Sequence, residues 1–369
     1  MNRLDSALDA MAASPAPGAP GRHLCLTSPP FFGPHSPNPA AKGGPSTPPP
    51  QPHEELLLNY LVTGGAGFIG SHIATALVQR GDKVRIFDNL STGSRKNLEH
   101  LAGKFELVQG DLLDAASVNK AVDGIDVVFH QAALASVPRS VANPVESHAA
   151  CATGTLHVLD AARRAGVGRV VYAGSSSAYG NQPHASKRES DAPSPLSPYA
   201  AAKLAGESYC QAFTASYGLA TVVIRYFNVF GPRQDPASEY SAVIPKFVDA
   251  MLAGQRPTIF GDGSQSRDFT YVENVVQGNL AAAERPEAVG RVMNVACGKQ
   301  YSLLQLVESV NRVLGTSIEP IFADWRAGDV RESLADITAA RQYLGYEPVI
   351  DFDEGLRRSI DYYKSIAKS

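Results

Sequence analysis

The residues best suited to do chemistry stand close together in the middle of the chain. Tyr199 and Lys203 lie four apart in SPYAAAKLAGE (197–207), a spacing that puts both side chains on one face of a helix. An ammonium beside a phenol lowers the phenol's pKa, and a second positive charge nearby lowers it further, so Tyr199 becomes a base able to take a proton from an alcohol near neutral pH. Upstream, YAGSSSAYG (172–180) ends a β-branched run in three serines. Ser175 closes that run and offers a hydroxyl to the reacting oxygen, with Ser176 and Ser177 as substitutes if the register shifts by one or two residues.

The second positive charge would come from a dinucleotide, for which the sequence carries a site. In TGGAGFIGS (63–71), Gly64, Gly67 and Gly70 form G-x-x-G-x-x-G between an apolar run and a helical pattern. The first two glycines permit a tight turn and the approach of a pyrophosphate, the third lets the helix pack on the sheet, and the helix N-terminus faces the phosphates. Phe68 and Ile69 belong to the same turn. Asp88, in RIFDNLSTG (85–93), falls eighteen residues after Gly70, where a carboxylate accepts from an adenosine ribose and repels a 2′-phosphate, favouring NAD over NADP. Asn89, Thr92 and Gly93 share its loop. Asp111 and Leu112 in QGDLLD stand where an adenine amino group is read. Gln131, Ala132 and Ala133 in HQAALASV leave room for the cofactor beside Tyr199 and Lys203.

Alternation of elements supplies the positioning. LLLNYLVTG, KVRIFD, FELVQGD, IDVVFHQA, RVVYAGSS and ATVVIRYFN read as strands, each apolar along its length as a strand buried on both faces is. Helical patterns over residues 71–80, 117–122, 144–165 and 199–217 separate most of them. The expected fold is α/β, a doubly wound parallel (Rossmann) sheet with ligands at the strand C-termini.

The chain has 369 residues, 33 basic and 36 acidic, for a net charge of -3; it has no basic footprint for nucleic acid. No apolar run approaches the ~18 residues that span a bilayer, and no basic segment precedes an apolar core at the N-terminus, so the cytoplasm is expected. Cys25, Cys151, Cys210 and Cys297 form no C-x-x-C pair and the nine histidines no metal-binding pattern, so neither a disulfide framework nor a metal is expected. Thirteen of the 26 prolines lie between Pro15 and Pro52; residues 1–54 read as a disordered extension.

Together the glycine motif, DNLSTG, HQAALASVPRS, SSSAYG, Y-x-x-x-K, RYFNVFGPRQDP, VIPKF, FGDGSQSRDFTYVENVV and RAGDVRESLAD resemble the extended short-chain dehydrogenase/reductase family. Within it the chain is most similar to nucleotide-sugar 4-epimerases, those acting on UDP-N-acetylglucosamine or UDP-glucose above all. The resemblance runs from about residue 56 to the C-terminus. It implies an NAD-binding domain over 55–235, to which about 265–300 return, and a smaller α/β domain, mainly 236–369, that holds a UDP-sugar. It assigns Asn228, Arg233, Arg267 and Arg331 to the UDP part, in keeping with the fit of guanidinium forks to diphosphates. The implied reaction is redox-neutral: NAD is retained, Tyr199 takes the 4-hydroxyl proton, and a 4-keto sugar turns over before it is re-reduced on the other face. Ser136, Ser175 and Ser176 would face the sugar. Ser333 stands where the family carries either a bulky aromatic that excludes an N-acetyl group or a small residue that admits it; serine leaves room for UDP-GlcNAc and UDP-GalNAc and also for UDP-glucose and UDP-galactose.

Two departures stand out. Cys151, in CATGT, replaces an asparagine common among relatives, and the serine segment lacks the acidic pair of sugar dehydratases. The alternatives are a UDP-glucuronate 4-epimerase or decarboxylase, the latter usually with a glutamate that SSSAYG lacks, and, in another class, a non-catalytic NAD-binding sensor or scaffold. The resemblance also implies a homodimer formed by the helices over 144–165 and 199–217. Leu156, Leu159, Leu204 and Phe213 would serve either that interface or the core.

Overall fold

The computed structural model describes residues 57–184, 186–235, 242–325 and 331–366; the proline-rich stretch 1–54 lies outside them. The first half of the chain runs β1 (Asn59–Thr63), α1 (Phe68–Gln79), β2 (Lys83–Asp88), β3 (Glu106–Gln109), α2 (Ala115–Val122), β4 (Val127–His130), α3 (Val137–Ala142), α4 (Pro144–His148), α5 (Gly154–Ala165), β5 (Arg169–Ser175), β6 (Ser186–Lys187), α6 (Pro198–Tyr217) and β7 (Thr221–Tyr226). There follow β8 (Val229–Phe230), α7 (Val243–Leu252), β9 (Thr258–Phe260), β10 (Ser266–Arg267), β11 (Thr270–Tyr271), α8 (Val272–Glu284), β12 (Val292–Val295), β13 (Tyr301–Ser302), α9 (Leu303–Leu314), β14 (Ile321–Ala323), β15 (Glu332–Ala335), α10 (Thr338–Leu344) and α11 (Phe352–Ile366).

Seven strands form one sheet, in the order β3-β2-β1-β4-β5-β7-β12, with every pairing parallel. The six apolar runs of the sequence are its first six strands; β12, from RVMNVA, is the seventh. Successive residues of a strand face opposite sides, so Leu61 joins the core that contains Val128, Val158 and Leu159, while Val62 joins the one with Ile73, Leu77 and Ile86. Leu159 and Phe213 are buried in that first core and Leu156 packs against it; Leu204 is half-buried.

The C-terminal half builds a third core around Phe230, Phe247, Ile259, Leu306 and Leu356. With β6 from the first half it also builds a second sheet, in the order β13-β10-β15-β6. The register Arg267↔Ser333 in that sheet sets two of the expected substrate residues side by side.

Candidate active site

Turn geometry creates the first cavity, of about 850 Å³, at the C-terminal ends of the parallel strands. Gly64 has φ +66°, and a Cβ there would stand 2.6 Å from the Ala132 nitrogen. At Gly70 a Cβ would stand 2.2 Å from the Gly64 carbonyl oxygen, so α1 can rise from the turn only without a side chain at that position. Gly67 caps α1 with no side-chain hydrogen bond and no acidic residue follows in the first turn; the orphan N–H groups and the positive helix end are left for an anion. Asp88 is buried, and its two oxygens accept from the Ala66 and Leu90 N–H groups at 2.9 and 2.8 Å. Each keeps a lone pair for a ribose hydroxyl. Asp111 accepts from Asn89 Nδ2 at 2.8 Å. Phe68, Ile69, Thr92, Gly93, Leu112, Gln131, Ala132, Ala133 and Ser136 line the same cavity. A cradle that any Cβ would fill, an unclaimed helix N-terminus and a carboxylate at the end of β2 fit the two halves of NAD.

Tyr199 and Lys203 enter this cavity from the first turns of α6, which Ser197 starts by accepting from the Ala200 N–H at 3.2 Å. Burial raises the Tyr199 pKa well above the usual phenol range, nearby Cys151 adds to the rise, and the Ser175 hydroxyl pulls against it. Of the three serines it is therefore Ser175 that acts on the phenol; its Oγ also pairs with Ser177 Oγ at 2.7 Å. Burial lowers the Lys203 pKa, and its Nζ sits 4.3 Å from the centre of the Tyr172 ring, a cation–π contact that holds the ammonium in a dry site.

Tyr172 and the Glu207–Arg225 pair, which sequence reasoning missed, hold α6 in place, and His130, also missed, ties β1 and α5 to β4. Tyr172 donates to the Lys203 carbonyl at 3.1 Å. Glu207, two turns after Tyr199, takes a two-pronged ion pair from Arg225 of β7 at 2.9 and 2.6 Å, both side chains buried. His130 joins Thr63 at 2.7 Å and Thr155 at 2.9 Å. Because Thr155 donates its only hydroxyl proton to the Cys151 carbonyl, it accepts from His130 Nε2–H. Burial and Lys203 bring the His130 pKa down to about 3, so the ring is neutral and Nδ1 accepts from Thr63. Cys151 is buried against Tyr199 on a π-helical turn, Ala149–Thr153, that joins α4 to α5. Tyr226, another residue missed, lines the cavity and reaches Gln131 at 3.1 Å.

A second cavity, of about 550 Å³, is lined by Asn228, Arg267, Phe260, Arg256 and Thr258 among others. Arg331 and Ser333 lie at its side of the fold without lining it: Arg331 stacks over Trp325 at 5.5 Å, and Ser333 pairs with Arg267 across two strands. Neither Ser175 nor Ser176 is among the residues that line the two cavities. Arg233 is engaged elsewhere in this structure. Its backbone, at φ +67°, turns the guanidinium onto α1, where it donates to Ser71 and Thr75 at 3.3 and 3.0 Å; these bonds fasten a loop to a helix and place the cation outside both cavities. Among the described residues no group of three or more His, Cys, Asp or Glu could hold a metal, and no helix is long and apolar enough to cross a membrane.

The family model described as NAD-dependent epimerase/dehydratase matches residues 60–296. The UDP-glucose 4-epimerase of Mycolicibacterium smegmatis is 38% identical over 309 residues, covering 83% of this chain and 98% of the relative. A UDP-N-acetylglucosamine 4-epimerase from Methanobrevibacter ruminantium M1, solved with UDP-N-acetylmuramic acid, is 43% identical with a TM-score of 0.81, covering 84% of this chain and 99% of that one. A UDP-glucuronic acid 4-epimerase from Bacillus cereus, solved with UDP-glucuronic acid and NAD, is 31% identical with a TM-score of 0.79, covering 84% and 100%. With the glycine cradle, the Tyr199–Lys203 face and the parallel sheet already in place, these matches settle the family: the chain belongs to the NAD-dependent epimerase/dehydratase family, as a nucleotide-sugar epimerase with NAD for its cofactor.

Proposed function

We propose that the protein interconverts UDP-hexoses at C4, acting on UDP-N-acetylglucosamine and UDP-N-acetylgalactosamine and also on UDP-glucose and UDP-galactose. The observation that carries the reading is the placing of Tyr199 and Lys203 on the cavity wall beside the glycine cradle, with the Ser175 hydroxyl acting on the Tyr199 phenol. Bound NAD supplies the two-electron acceptor and donor at C4. Tyr199, as phenolate, takes the proton of the 4-hydroxyl; Lys203 keeps the phenolate charged, and Ser175 donates to the oxygen that becomes the ketone. After the 4-keto sugar has turned, Tyr199 returns the same proton, so neither protons nor electrons are lost. Asn228, Arg267 and Arg331 hold the UDP part, with residues 236–369 supplying most of that half of the site. The small side chain of Ser333 supports admission of an N-acetyl group.

UDP-glucuronate epimerisation is the second reading, supported by the likeness to the B. cereus structure. A non-catalytic sensor would have no use for an acid/base pair aimed into the cofactor cavity. A homodimer belongs to the same proposal: Val141, Val145 and Tyr209, exposed at 64%, 77% and 40% on α3, α4 and α6, supply apolar surface for helix pairing. Sedimentation of the purified protein tests it, and a monomer rejects it.

The deciding experiment incubates purified protein, without added NAD, with UDP-N-acetylglucosamine and UDP-glucose separately and resolves the 4-epimers by chromatography. Conversion of both supports the reading. No conversion of either after NAD is supplied overturns it and directs the assay to UDP-glucuronate.

A further inference from the structure

Asp268 is wholly buried and lines neither cavity, yet three of the residues assigned to the UDP-sugar surround it. Its carbonyl accepts from Asn228 Nδ2 at 3.2 Å. Its own N–H donates to the Ser333 carbonyl at 2.6 Å, and Arg267 is its neighbour in the chain. The carboxylate binds elsewhere: Oδ1 accepts from the Cys297 N–H at 2.9 Å, and Oδ2 from the Gly298 and Ala335 N–H groups at 2.9 and 3.3 Å. Gly298, at φ +66°, belongs to the loop that leaves β12, while Ala335 ends β15. One side chain thus ties the end of the parallel sheet to the strand that carries Ser333, and its backbone ties both to Asn228. No ion pair among the described residues compensates it. Burial pushes the carboxyl up to about 7 against the pull of the N–H donors. A carboxylate without a cation is a costly way to join three backbone segments where packing would serve. What it adds over packing is direction, because both oxygens must be met by N–H groups at fixed angles.

We infer that Asp268 is a positioning residue for the substrate site, setting Asn228, Arg267 and Ser333 relative to one another without touching the ligand. The inference rests on the assignment of those three residues to a UDP-sugar. Asparagine fits poorly in either orientation, since its NH2 then faces the Cys297 N–H or those of Gly298 and Ala335. The loop or β15 must move away, and Asn228 and Ser333 follow.

The test compares wild-type enzyme with Asp268→Asn, each loaded with NAD. The expected result is a KM for the UDP-sugar, and a Kd for UDP alone, raised by about tenfold or more, with kcat and bound NAD nearly unchanged. A loss confined to kcat or to thermal stability, with KM and UDP affinity intact, overturns the inference. If the variant does not fold, hydrogen exchange on the wild-type holoenzyme decides: UDP should slow exchange at the Cys297, Gly298 and Ala335 amides, because coupling between Asp268 and the site is reciprocal. Unchanged exchange there, with UDP bound, overturns it. Wild-type enzyme that binds no UDP refutes the assignment of the second cavity instead, and this inference falls with it.

Discussion

Replacing Lys203 by methionine keeps most of the apolar packing of the side chain and removes its ammonium. On one helix face a residue and its fourth neighbour stand about 6 Å apart. At an effective dielectric constant near 20 a unit charge at that distance stabilises a phenolate by about 2.8 kcal/mol, or about two pKa units. Burial already holds the Tyr199 phenol above its ordinary range, with only the Ser175 hydroxyl pulling against it, and that hydroxyl carries no charge to replace the ammonium. Tyr199 must be ionised to take the first proton, and activity therefore rises with pH through the phenol's pKa; removing a cation raises that pKa. The pH profile of kcat/KM should move about two units upward, with activity near pH 7.5 falling about a hundredfold and recovering at high pH. The assay is epimer formation across pH 6 to about 10.5, past the ordinary tyrosine value, with bound NAD measured after denaturation so that cofactor loss is not mistaken for chemistry. A uniform drop at every pH, with the profile unmoved, would refute the role given to Lys203 and reduce it to a cofactor ligand.

Tyr199→Phe keeps the buried ring and should retain NAD while kcat falls by about two to four decades; activity within tenfold of wild type would assign the proton transfer to another group. Ser333→Tyr should cut turnover of UDP-N-acetylglucosamine about ten- to a hundredfold relative to UDP-glucose, the cost of overfilling a packed space, as read from the ratio of the two rates. An unchanged ratio removes Ser333 from the specificity argument. Glu207→Ala leaves the Arg225 guanidinium buried without its partner and should cost about 3–5 kcal/mol in urea unfolding, most of it regained in Glu207→Ala/Arg225→Met. If the double variant is no better than the single, the ion pair is not what α6 depends on.

What could be read from the sequence was whatever announces itself locally. Glycines at fixed spacing, an apolar run ending at Asp88, and Tyr199 four before Lys203 each carry their geometry within a few residues, and the structure places these side chains on one cavity wall. The supports were not legible, because their partners are remote: Thr63 and His130 stand 67 residues apart, Glu207 and Arg225 18, and Asp268 and Ala335 67. A lone polar residue at the end of an apolar strand, such as His130, reads as the strand's terminus rather than as one member of a chain of three hydroxyl and imidazole groups. Arg233 is a related case. Its sequence context suits an anion, but its direction is set by a left-handed backbone that side-chain chemistry does not disclose.

Those supports bear on why the site is suited to an epimerase. Burial displaces Tyr199 upward and Lys203 downward, so in each case it disfavours the charged form. The state that the proposed mechanism uses, phenolate beside ammonium, runs against that preference. Two opposite charges in a dry site cost less than either does singly, provided their geometry is fixed, and Tyr172 and the Glu207–Arg225 pair fix the helix that carries both. An enzyme that exchanged its cofactor at every turnover would open this cavity to water each time and rebuild the pair. One that keeps NAD and returns the proton to the same sugar can stay closed around it, which makes burial of both groups an asset rather than a penalty.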